Sequence, residues 1–72
     1  MRRDLKKEKE GILGVLEDYR NAWFTLQDIW IELQRRRLFY EFEDIRVAAQ
    51  MLSYEGRIII IDGLERYYKF VY

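Results

Sequence analysis

Ser53 is the only serine and Thr25 the only threonine in the chain, and the sequence contains no cysteine and no histidine. A side-chain nucleophile needs a base within hydrogen-bond reach, and neither hydroxyl has a histidine or a lysine base near it in sequence. The missing residue types also exclude disulfides, thiolate and imidazole metal sites and histidine general bases. Carboxylates crowd together at Glu41, Glu43 and Asp44. Helical spacing would spread these three, and a helix N-terminus repels cations. No glycine-rich phosphate loop is present. The chain is therefore expected not to be an enzyme and to need no cofactor and no metal, and no small-molecule substrate is evident.

What remains is recognition by charge and shape. Arg46 and Gln50 lie one helical turn apart. An arginine can donate two hydrogen bonds to a guanine edge and a glutamine can bond an adenine edge, so the pair could read successive bases; it could equally be an ordinary solvated pair. Positive charge also gathers at Arg35, Arg36 and Arg37, at Arg2, Arg3, Lys6 and Lys7, and at Arg57, Arg66 and Lys69. These suit phosphate contacts if they share a side, and otherwise cap a helix or pair with acids across strands. Thirteen Lys plus Arg balance thirteen Asp plus Glu, so attraction to a polyanion must come from arrangement. The acidic start of the same helix opposes DNA, whereas Val47, Met51 and Tyr54 on its outward face would suit a protein partner. The aromatic residues are many and most are expected in the core. Tyr67, Tyr68 and Phe70 with Arg66 and Lys69 faintly match a platform for single-stranded nucleic acid.

The elements that must position these residues follow from hydrophobic period. Leu5, Ile12, Leu16 and Tyr19 form one helical stripe with Val15 beside it, predicting a first helix of about four turns. Gly11 and Gly14 leave two options: a helix starting near Gly11, or glycines that let another backbone approach. Residues 21–24 break the pattern with a short extended stretch. Thr25 then sits where an N-cap belongs, with Asp28 three residues on. A second helix follows on the stripe Leu26, Ile29, Trp30 and Leu33. A third runs from about Glu41 to Tyr54 with Phe42, Ile45, Ala49 and Leu52 inward, ended by Gly56 as a left-handed cap. After Gly56 the period becomes strand-like: four consecutive isoleucines from Ile58, a turn at Asp62-Gly63, and a return strand from Arg66 to Val71. A two-residue and a three-residue loop put different residues on the inner face, so the register stays open. Isoleucine on both faces of one strand predicts a cover for the second face, and Leu13 and Ile31 add surplus apolar surface; a symmetric dimer is the expected solution.

The chain reads as a single domain over residues 1–72 whose first ten residues are a charged segment that frays or extends the first helix. It has no run long enough to cross a bilayer and no apolar stretch after Met1-Arg2-Arg3-Asp4, so no membrane association is expected and a cytoplasmic location is. Three helices with a tight joint between the second and third, followed by a hairpin, resemble the winged helix-turn-helix family from Leu5 to Tyr72. The most specific stretch runs from Asp44 through Arg46, Ala49, Leu52 and Gly56 to Ile58. The resemblance implies an α+β fold whose third helix enters the major groove of double-stranded DNA while the wing and helix ends touch phosphates. On that reading the protein is a small transcriptional regulator acting as a homodimer. Arg46 and Gln50 then contact bases, and Arg35, Arg36, Arg37, Arg57 and Arg66 contact phosphates. The alternative is a protein-interaction module using Val47, Met51 and Tyr54.

Overall fold

The structure, a computed structural model, describes residues 4–71. Arg2 and Arg3 of the basic N-terminal group lie outside the described residues, as does Tyr72 at the end of the expected resemblance. The chain runs α1 (Lys6–Asp18), β1 (Phe24–Thr25), α2 (Leu26–Arg35), α3 (Phe42–Tyr54), β2 (Ile58–Asp62) and β3 (Arg66–Phe70). Three helices followed by an antiparallel hairpin are thus present as the hydrophobic period dictates. The extended stretch before Thr25 goes further than expected and becomes a strand. Phe24 pairs with Tyr68 and Thr25 with Tyr67, making an antiparallel sheet in the order β1-β3-β2.

Local chemistry fixes the helix ends. The Thr25 hydroxyl accepts from the Asp28 amide at 3.1 Å and the Asp28 carboxylate accepts from the Thr25 amide at 3.2 Å, a complete capping box. At the other end of α2, the Arg37 amide donates to Gln34 O and the Leu38 amide to Leu33 O, both at 2.9 Å. This is a Schellman closure with Arg37 in the left-handed region at φ 62°. The same closure ends α3, where Gly56 at φ 75° lets the Arg57 amide reach Leu52 O at 2.9 Å. Helix α1 starts at Lys6, not Gly11, and the two glycines are interior. What approaches Gly11 is side chain: a Cβ there would stand 3.0 Å from Leu33 Cδ2 and 3.4 Å from a Tyr40 ring carbon.

Ile12, Val15 and Leu16 from α1, Ile29 and Leu33 from α2, and Ile45, Ala49 and Leu52 from α3 close one fully buried core, capped by Ile58 and Tyr68 of the sheet. Several apolar assignments change. Phe42 is not inward: it is exposed and packs edge-on against Trp30 at 5.7 Å, because the buried side of the first turn of α3 is taken by Ile45 and Asp44. Tyr19 caps α1 in solvent, whereas Leu13 is buried and is no surplus. Most aromatics are not core either. Tyr68 alone is buried among the described residues, Trp30 and Tyr40 are half-buried, and Phe39 and Tyr54 are exposed. A domain this small has too little interior for so many rings.

The hairpin register is Asp62 opposite Arg66, a three-residue loop of Gly63, Leu64 and Glu65. It turns Ile58, Ile60, Tyr68 and Phe70 toward the helices and leaves Ile59, Ile61, Tyr67 and Lys69 on the outer face. Ile59 and Ile61 are 43% and 46% exposed, so that face remains uncovered within one chain. Among the described residues, no helix is long and apolar enough to cross a membrane.

Candidate nucleic-acid interface

Two arginines from different elements lie within electrostatic range of each other on the side of the sheet that faces the helices. Arg46 projects from the second turn of α3, and Arg66 opens β3 on the same sheet face as Tyr68. The positive charge of Arg66 is close enough to oppose that of Arg46, and the Tyr68 phenol lies beside both. Each arginine has its own acid. Arg46 Nε donates to the two Glu43 carboxylate oxygens at 3.0 and 2.7 Å, with Nη2 adding a further bond. Arg66 Nε donates to Asp62 at 2.6 Å across the hairpin. Hydrogen bonding and charge from these carboxylates hold both guanidinium groups above the ordinary arginine value, and the bond from Arg46 holds Glu43 below the ordinary glutamate value. Both pairs are solvent-exposed, so they are weak, and a phosphate or base edge can replace the carboxylate.

The neighbouring positions divide. Gln50 is half-buried and its amide donates to the Tyr54 hydroxyl at 3.3 Å, along the helix and not outward. Of the three acids at the start of α3, Asp44 turns inward, buried and partnered, so only Glu41 and Glu43 are exposed there. Val47 and Met51 are half-buried and pack on the core, which reduces the apolar face expected for a protein partner to the exposed Tyr54.

The remaining cations do not join this cluster. Arg36 is half-buried and bridges Asp18 at 2.8 Å and Glu32 at 3.7 Å, bracing the C-terminal ends of α1 and α2. Arg35 pairs with Glu32 at 3.6 Å. Arg37 and Arg57 are exposed and have no ion pair with another described residue. Arg57 sits at the far end of β2 from the Asp62–Arg66 pair, about 16 Å away at the usual strand rise. The single-strand platform does not form as grouped, because Tyr68 and Phe70 face inward while Tyr67 and Lys69 face outward.

Sequence reasoning missed three features. Lys9 of α1 reaches Glu55 beyond α3 at 2.9 Å, a pairing across 46 residues that no local spacing reveals. The Lys69 ammonium lies 5.1 Å over the Trp23 ring. Leu64 at the wing tip is wholly exposed. Among the described residues, no group of acids could hold a metal ion.

No protein-family model matches the chain, and no curated protein matches it. Among solved structures, it is similar to a chain of HOP2 from a study of that protein's DNA recognition and protein interaction domains and its homologous DNA pairing. The two are 23% identical with a TM-score of 0.76, over 89% of this chain and 98% of that chain. At that identity the likeness establishes the fold, an α+β winged helix.

Proposed function

We propose that this winged-helix domain binds double-stranded DNA and catalyses no reaction. The observation that carries the reading is the convergence of Arg46 from α3 and Arg66 from the wing on one side of the molecule, beside Tyr68. A helix cation and a hairpin cation side by side can take a base edge in a groove and the phosphate next to it. The DNA recognition described for HOP2, a chain of the same fold, supports it. In finer terms, the protein is a cytoplasmic, sequence-specific transcriptional regulator that works as a homodimer. Arg46 reads bases, with Gln50 beside it once its bond to Tyr54 is exchanged. Arg66, Arg37, Arg57 and Arg35 neutralise phosphates, and Arg36 does so only to the extent that its bridges to Asp18 and Glu32 open.

The test is fluorescence anisotropy with duplex DNA, a random pool and a selected site, at two salt concentrations. Arg46→Ala should weaken the selected site by about ten- to a hundredfold and relax its preference. Arg66→Ala should weaken all sequences alike and reduce the salt slope by about one. Glu43→Gln should tighten binding to the random pool, because it removes a negative charge and frees Arg46. Absence of duplex binding at low salt would overturn the function and leave the fold.

A further inference from the structure

We propose that two copies of this chain pair through the outer faces of their wings, the Leu64 side chain at each tip seating in the cavity of the other copy formed by Trp23, Ile61 and Tyr67. This deepens the homodimer proposed above and rests on that part of the reading, but it needs no DNA. The cavity is open, lined by these three apolar side chains, and about 340 Å³ in volume. That is roughly ten times a water's share of liquid volume, ample for a four-carbon side chain. Leu64 is a wholly exposed leucine in the loop past the Asp62–Arg66 pair that follows Ile61 and Tyr67, and it does not fill the cavity of its own wing.

Charge matches as well as shape. Glu65 flanks the projecting leucine, while Lys69 flanks the cavity, its ammonium over Trp23. Seating one tip on the other wing brings Glu65 toward the partner copy's Lys69, and a two-fold axis makes the contact twice. Projection and cavity lie on the same wing, so a two-fold axis between the wings closes the contact at two copies, whereas a head-to-tail contact would keep growing. The exposed parts of Trp23, Ile59, Ile61, Leu64 and Tyr67 offer on the order of 500 Å² of apolar surface per copy. A standard interface takes about 800 Å² per partner, so this patch would be its apolar centre, with Asp62, Glu65 and Lys69 as the polar rim.

Sedimentation equilibrium of the full chain, with circular dichroism to check folding, tests the pairing. The native chain should dimerise in the micromolar range. Leu64→Ser, at a wholly exposed position, should keep the fold and weaken dimerisation at least about tenfold. Trp23→Ala should weaken it similarly. An equimolar mixture of the two variants should dimerise more strongly than either alone, because the mixed pair keeps one intact leucine in one intact cavity. A native chain that stays monomeric at high micromolar concentration would overturn the proposal. So would a Leu64→Ser variant that dimerises like the native chain, a mixture no better than its components, or masses that grow beyond the dimer. A dimer that passes these tests but binds no duplex DNA sustains the pairing and removes the function proposed above.

Discussion

Arg37 holds a backbone conformation that normally belongs to glycine, at φ 62° in the closing turn of α2. A left-handed residue with a Cβ is strained by about 1 kcal/mol or more. Replacing Arg37 with Gly should therefore raise stability by about 0.5–1 kcal/mol in urea unfolding, and it should lower the salt slope of DNA binding if Arg37 meets a phosphate. The Arg46–Glu43 pair supplies a second check. Its hydrogen bond holds the Glu43 carboxyl below its ordinary value, so the pair's contribution is complete above the unfolded value of about 4.3 and disappears as pH falls through the lower folded value. In an NMR titration the Glu43 midpoint should lie below that of a free glutamate and return to it in Arg46→Ala. At this scale the sequence was readable in type and spacing: Arg46 stands exposed on α3 with Gln50 half-buried one turn on, and their partners Glu43 and Tyr54 are three and four residues away. What spacing could not tell was that these neighbours would occupy them, or that Asp44 alone of the acids would turn inward.

The two glycines of α1 separate propensity from packing. At Gly14 an added Cβ meets only the guanidinium of Arg36, at an ordinary contact distance of 3.7 Å, so Gly14→Ala should stabilise by about 1 kcal/mol. At Gly11 the same methyl presses on Leu33, which is fully buried and cannot retreat, so Gly11→Ala should give no gain or a loss. Thermal melts of both variants side by side decide this. Thr25→Ala, which removes the hydroxyl that accepts from the Asp28 amide and leaves the backbone bond to the Asp28 carboxylate, should cost about 1 kcal/mol. Helix ends were legible because caps are local chemistry: Thr25 with Asp28, and Gly56. Arg37 was legible as a cation suited to the end of α2 but not as its left-handed residue, a place that ordinarily goes to glycine or asparagine. Nor was β1, because two residues show no period and Phe24 becomes a strand only by meeting Tyr68, which is 44 positions later.

The core runs without interruption through all three helices and the sheet, so the domain should unfold as one unit. Far-UV circular dichroism and tryptophan fluorescence, which report the helices and the β1 and α2 regions, should give coincident transitions. Leu52→Ala should cost about 2–5 kcal/mol, a large part of the stability of so small a domain. The order of the elements was legible from the change of period at Gly56, whereas the faces of the hairpin were not, because four consecutive isoleucines fit either register and the three-residue loop decides. The place of β3 between β1 and β2 also orders events during synthesis. Both edge strands leave the ribosome before the strand that joins them, so a nascent chain carries its helices and the bare isoleucine run of β2 until Arg66 through Phe70 follow. In that interval the run is an unpaired, strongly strand-forming segment, the kind that associates with other unfinished chains.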